Sequence, residues 1–269
     1  MIASERRRYI LNALNLRGVI SLKDTARELG VAEITVRRDF EKLESEGKLK
    51  RVQGGATSLE ELDGAELTMT SKLPMHMHGK EAVAQYAADL VRDGECVFID
   101  GGTTMVPFAS AIMRKNVRII TYNTMVLKKL SNPTAQIILI GGEYRPHYEM
   151  NVGTIAQDML QMFYFDKAFF GCSGVDLSQR VAYTTETESL KMKRIAMSNS
   201  SHNFLLVDQS KFSSRGFLKF CPTDQFEAIL SDSLPDTEEE LPENLRSVAQ
   251  DSQKRKKKIK FEKNRLNSF

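Results

Sequence analysis

Apolar positions near the N-terminus recur at helical spacing. Ile10, Leu11 and Leu14 predict a first helix opened by Ser4 and closed by Gly18. Val19-Ile20 reads as a short extended piece. Ser21, with Asp24 three residues on, predicts a second helix with Ala26 and Leu29 inward, ended by Gly30 in a left-handed cap. Val36, Phe40 and Leu43 predict a third helix over 32–46, stopped by Gly47. Two helices joined by a short turn containing Gly form a helix-turn-helix. Leu49-Lys50-Arg51-Val52 then alternates apolar and basic before Gly54-Gly55, the pattern of a small hairpin, or wing.

From residue 78 the pattern becomes helices alternating with short apolar runs. Helices are predicted over 80–91, 108–113, 126–130 and 188–197. Strands are predicted over 96–99, 117–120, 136–140, 168–170 and 204–207. Continuous apolar strands separated by helices indicate a Rossmann-like parallel sheet covered on both faces. The chain thus divides into a DNA-binding-type module over 1–57, a linker over 58–77 and an α/β domain over 78–233. A charged extension over 234–269, read as disordered, follows.

The net charge of +3 conceals an uneven distribution. Residues 1–55 hold 12 Lys/Arg against 8 Asp/Glu, residues 56–253 hold 18 against 26, and residues 254–269 hold 8 against 1. A basic N-terminal module points to nucleic acid. The basic tail reads as a solvated end or a non-specific phosphate contact. No apolar run is long enough for a membrane span, and no secretory signal precedes the first helix, so a cytoplasmic location and no membrane partner are expected. Three widely spaced cysteines suit neither a disulfide framework nor a zinc site. Met75-His76-Met77-His78 reads as a polar entry to the next helix, so no metal is assigned.

The third helix exposes Thr35, Arg37 and Arg38, placed for the major groove, where Arg pairs with guanine. Lys50 and Arg51 of the wing are placed along the phosphates or in a minor groove. In parallel sheets ligands bind beyond the carboxyl ends of the strands. Those ends carry Asp100-Gly101-Gly102-Thr103-Thr104, Asn123, Gly141-Gly142, Gly171 to Gly174 and Asp208. Gly101 to Thr104 before a helix is an anion cradle of backbone N–H groups and Thr hydroxyls. Arg145, Lys193 and Lys211 are the candidate countercharges, and Asp100 and Asp208 the candidate hydroxyl acceptors. Two alternatives stay open at this point: an isomerase-like enzyme that turns over a sugar phosphate beside a DNA-binding module, and an architectural DNA protein using the basic tail. No nucleophile triad is present, and neither catalytic residues nor a cofactor are assigned.

Arg6, Ile10, Leu14, Ala32, Thr35-Val36-Arg37-Arg38-Asp39-Phe40, Leu43, Gly47 and Arg51-Val52-Gln53-Gly54-Gly55-Ala56 together resemble the DNA-binding signature of the DeoR family of bacterial repressors. Ala32, Ile34 and Gln53 depart from the usual Ser, polar residue and His. Lys80, Asp100 to Thr104, Asn123, Gly141-Gly142 with Arg145, Gly171 to Asp176, Thr184-Thr185, Lys193-Arg194 and Asp208 to Phe212 are similar to the family's effector domain. Gly101 replaces a frequent Ser, Gln209 a small residue, and Glu188 does not align securely with the family's acidic residues. The resemblance implies a winged helix-turn-helix joined to a ribose-5-phosphate-isomerase-like α/β domain that binds a phosphorylated sugar or related metabolite without turning it over. The implied partners are operator DNA, the effector, and further copies of the chain in a dimer or tetramer.

Overall fold

The computed structural model describes residues 2–17, 19–46, 48–52, 54–57 and 68–249. Gly18, Gly47 and Gln53, the 58–67 part of the linker, and the tail from 250 lie outside them. The chain divides into two units, Met1–Met75 and His76–Phe269.

In the first unit α1 (Ala3–Arg17), α2 (Leu22–Leu29) and α3 (Glu33–Ser45) enclose Ile10, Leu14, Val36, Phe40 and Leu43. Because α1 starts at Ala3, Ser4 sits inside its first turn and not at the cap. The Ile2 N–H is instead taken by Glu5 Oε2 at 3.3 Å. Ser21 does cap α2, its Oγ accepting from Asp24 N at 3.3 Å, and Gly30 ends the helix at φ +64°. Replacing Ser21 by Ala leaves that N–H unpartnered. A loss of about 1 kcal/mol in urea unfolding is expected, and a cost near zero would show the cap to be dispensable. Ala32 precedes α3 with no side-chain cap.

Strand β1 (Val19–Ser21) pairs with β3 (Gly55–Thr57), which pairs with β2 (Lys50–Val52) to complete the wing. Gly54 turns the hairpin at φ +80°. Gly55 is obligatory for packing, since a Cβ there would lie 2.1 Å from the Ile20 carbonyl oxygen. Beyond the undescribed stretch the linker is not irregular. Thr68 caps α4 (Met69–Lys72), and the helix expected from residue 80 already begins at Met77.

The second unit runs α5 (Met77–Ala88), β4 (Cys96–Ile99), α6 (Met105–Ile112), β5 (Arg118–Thr121), α7 (Thr124–Lys129) and β6 (Gln136–Leu139). The hairpin β7 (Glu143–Arg145) and β8 (Met150–Val152) leads to α8 (Thr154–Gln161) and β9 (Phe165–Phe170). Then come β10 (Gly174–Asp176), β11 (Val181–Thr184), α9 (Thr187–Ser198), β12 (Ser200–Val207), β13 (Leu218–Pro222), β14 (Ala228–Ser231) and β15 (Leu245–Ser247). Seven strands form one sheet, ordered β15-β14-β12-β9-β4-β5-β6, all parallel. Strands β10, β11 and β13 make a small antiparallel sheet.

Both faces of the main sheet are covered, and alternate residues of one strand divide between them. Val97, Ile99 and Phe169 pack with α5 and α6, whereas Phe98, Ala168 and Phe170 pack with α8 and α9. The extension read from residue 234 begins too early. Leu245 and Ser247 pair with β14, and Val248 is buried. The Asp236 to Glu243 charge run masks this short apolar return in the sequence.

Candidate functional site

The third helix sorts its charges by periodicity. Val36, Phe40 and Leu43 face the core, so Arg37 and Arg38 one step away face solvent. Neither has a hydrogen-bond or ion-pair partner among the described residues. Thr35 is half-buried beside them, and Ile34 is exposed. Asp39, contiguous with the two arginines, turns inward. Arg6 Nε of α1 holds its Oδ2 at 2.8 Å, and Arg7 lies 3.7 Å from Oδ1. The run Arg37-Arg38-Asp39 therefore presents two free cations while its carboxylate ties α3 to α1. On the wing Lys50 is exposed without a partner for its ammonium among the described residues. Arg51 is engaged elsewhere, with its guanidinium on Glu44 at 2.6 Å and Glu41 at 3.0 Å of α3.

In the main sheet the strand order reverses between β4 and β9, which opens a crevice at their carboxyl ends. Asp100, the residue after β4, stands there fully buried. Its Oδ1 accepts from the Tyr122 hydroxyl at 2.6 Å. Its Oδ2 accepts from Gly171 N at 2.9 Å and from the Lys193 ammonium. Lys193 comes from α9, also donates to the Gly171 carbonyl at 2.8 Å, and lies 5.4 Å from the centre of the Phe220 ring. Asp100 thus has its acceptor sites filled from three other elements and organises the crevice.

Gly101 and Gly102 follow, then Thr103 and Thr104 at the start of α6. Gly102 has φ +99°, which admits no side chain without strain. Asn123 locks this turn from β5: its Nδ2 donates to the Gly102 carbonyl at 3.0 Å, and its Oδ1 caps α7 through Met125 N at 3.0 Å. Burial of Tyr122, and then the adjacent Asp100 carboxylate, push the phenol well above its ordinary value, so it stays a donor.

A second group assembles around Cys172. Burial pushes its thiol up to about 12, while Lys211, Lys193, Asp208 and Asp100 all act on it electrostatically. The thiol is neutral at physiological pH and serves as packing. Asp208, the residue after β12, is buried. Its Oδ1 accepts from Ser210 N at 3.1 Å and from the Ser210 hydroxyl. Among the described residues its Oδ2 has no partner, nor has the buried Ser173 Oγ. Lys211 is half-buried and unpaired among the described residues. Beside Asp208 opens a cavity of about 560 Å³ that also reaches Ser210, Phe212, Asp232 and Asp236.

The structure therefore brings together Asp100 to Thr104, Asn123 and Lys193, and places Asp208 and Lys211 close by. Arg145 is not gathered in. It lies exposed on β7 and pairs with Glu143 at 3.1 Å. Tyr122 and Ser189 belong to the site but were not singled out for it, whereas Gly171 and Cys172 lie in the Gly171 to Gly174 strand end that the sequence marks. Tyr122 carried a detectable signal, a hydroxyl-bearing residue at the end of a buried strand beside Asn123. Ser189, 3.3 Å from the Tyr122 hydroxyl, is contributed by α9 and had none.

Comparison with known proteins agrees with this geometry. Residues 6–62 match the DeoR-like helix-turn-helix domain and residues 75–233 the DeoR C terminal sensor domain. The lactose phosphotransferase system repressor of Staphylococcus epidermidis is 31% identical over 229 residues, covering 83% of this chain and 90% of that protein. The repressors of the same name from Streptococcus mutans and Staphylococcus aureus are 30% and 32% identical, covering 88% and 85% of this chain and 94% and 91% of those proteins. Among solved structures, ribose 5-phosphate isomerase A of Methanocaldococcus jannaschii aligns over 49% of this chain and 53% of that one. Identity is 19% and the TM-score 0.37. The Neisseria gonorrhoeae isomerase gives 17% and 0.34 over 51% and 53%. The chain spans about half the length of these isomerases, a likeness too slight to bear on function. Two matched domains and repressors similar along nearly their whole length place this chain in the DeoR family, as a DNA-binding transcriptional regulator and not an enzyme.

Proposed function

We propose that this protein is a cytoplasmic, oligomeric repressor of carbohydrate genes whose hold on its operator is controlled by a phosphorylated sugar. Its relatives are named as repressors of a sugar phosphotransferase system. Arg37 and Arg38 read base edges in the major groove, with Thr35 and Ile34 beside them to contact a base or a thymine methyl. A symmetric dimer or tetramer sets two such helices on half-sites about one helical turn apart.

For the effector, the observation that carries the reading is the pair of buried polar atoms without a partner among the described residues, Asp208 Oδ2 and Ser173 Oγ, near Lys211, which has no ion pair among them. A buried polar atom without a partner costs about 1–3 kcal/mol, and a sugar hydroxyl removes that cost. The phosphate sits on the Gly101 to Thr104 backbone at the start of α6, with Lys211 as countercharge. Asp100 and Lys193 are spent on each other and act by holding the cradle's shape. The effector alters operator binding to the extent that it prefers one state of the protein.

A thermal-shift panel of hexose and pentose phosphates, each beside its free sugar, tests this. One phosphate ester should stabilise the protein while its free sugar does not, and Thr103→Ala should weaken that ester about tenfold, the worth of one charge-assisted hydrogen bond. Equal shifts from ester and free sugar would remove the cradle from the reading.

A further inference from the structure

Arg51 and Glu44 are seven residues apart, one on the wing and one on the recognition helix, and three hydrogen bonds join their neighbourhoods. Glu44 Oε1 accepts from the Arg51 backbone N–H at 2.9 Å, and its Oε2 from Arg51 Nε at 2.6 Å. Glu41, one helical turn earlier, takes Arg51 Nη1 at 3.0 Å. Strand β2 is the outer strand of its sheet, so the Arg51 N–H has no strand to pair with, and the Glu44 carboxylate closes that edge. Two carboxylates meet one guanidinium, so the charge of Arg51 is answered within the module and is not offered to a DNA phosphate. Lys50, the adjacent residue, faces solvent with its ammonium unpaired among the described residues.

We propose that Glu44 is a positioning residue for DNA reading: it clamps Arg51 and fixes the wing against the recognition helix, leaving Lys50 as the wing's phosphate contact. The two basic residues of the wing then do different work. Lys50 supplies charge to the DNA, and Arg51 is a strut that sets where that charge stands relative to Arg37 and Arg38. The bonds that make the strut also oppose the Glu44 proton, holding its carboxyl below the usual range through the Arg51 backbone and side-chain hydrogen bonds.

The salt dependence of binding separates a phosphate contact from a strut, because each phosphate contact contributes a fixed share of the slope. The probe is a synthetic duplex enriched by the full-length chain from a random-sequence pool, titrated over a range of potassium chloride. Lys50→Ala should reduce the slope of log K against log salt by about 1. Glu44→Gln and Arg51→Gln should each weaken binding about fivefold at every salt concentration, with the slope of the parent. The double variant should be no weaker than either single one, because both remove the same link. Circular dichroism of each variant checks that the module is folded, and Glu44→Asp, which keeps the charge, should recover part of the loss. A slope reduced by Arg51→Gln, or a Glu44→Gln variant that binds as well as the parent or more tightly, would overturn the strut and return Arg51 to the phosphates.

Discussion

Replacing Lys193 by Met should cost about 3–5 kcal/mol of stability, the usual result of removing one partner from a buried ion pair. Lys193 and Asp100 are both almost wholly buried. Methionine fills much the same volume but leaves the Asp100 carboxylate inside the domain with only neutral donors, Tyr122 and Gly171, around it. The Gly171 carbonyl loses its donor as well. Urea unfolding of the full chain followed by circular dichroism measures the loss. In a thermal scan the midpoint should fall by roughly 10 °C. Adding Asp100→Asn should recover a good part of it, since the carboxamide still accepts a hydrogen bond and carries no charge to bury. A Lys193→Met cost below about 1 kcal/mol would mean that the ammonium is not the countercharge of Asp100. The same variant should lose effector response, because Asp100 anchors the turn that shapes the cradle.

Arg37→Ala should lower discrimination between the operator and unrelated duplex by about 1–3 kcal/mol, with thermal stability and effector-induced stabilisation unchanged. The separation follows from burial. Arg37 is solvent-facing and unpaired among the described residues, so its removal costs the fold little. Asp39, two residues on, lacks that freedom because Arg6 and Arg7 hold it against α1. Competition binding against a shuffled duplex at fixed salt gives the result directly. An Arg37→Ala variant with the parent's preference would shift base reading to Arg38 or to Ile34 and Thr35.

The helices of the first unit were legible because local rules govern them. The Ser21 cap, the Gly30 stop and the Val36-Phe40-Leu43 stripe need no distant partner. Five of the seven parallel strands of the second unit showed as apolar runs for the same reason, but β14 did not. Strand β15 escaped notice because three residues behind an acidic run have no periodicity to read, and its membership depends on β14. Helix α8 was also missed, since it follows Gly153 and offers only Ala156 and Leu160 as buried positions. At the site, glycines and acids at strand ends were readable, but their division of labour was not. Asp100 and Asp208 look alike in the chain. One is saturated by Tyr122, Gly171 and Lys193, whereas the other keeps a bare oxygen, and donors brought in by β5, β9 and α9 decide between them. Arg145 and Arg51 likewise look available in sequence and are held by Glu143, Glu41 and Glu44 in space.

The reversal of strand order between β4 and β9 has a consequence for the timing of assembly. Asp100 meets Gly171 across 71 residues of chain and Lys193 across 93. The contacts that build the DNA reader span far fewer: Arg6 to Asp39 is 33 and Arg51 to Glu44 is 7. Loops closed over such distances form late and together. A growing chain therefore completes a DNA-reading module long before it has anything with which to sense a metabolite. The crevice, assembled from both ends of its domain, cannot exist in part, and a ligand held there at 100 times its Kd would add about 2.7 kcal/mol to the completed fold alone.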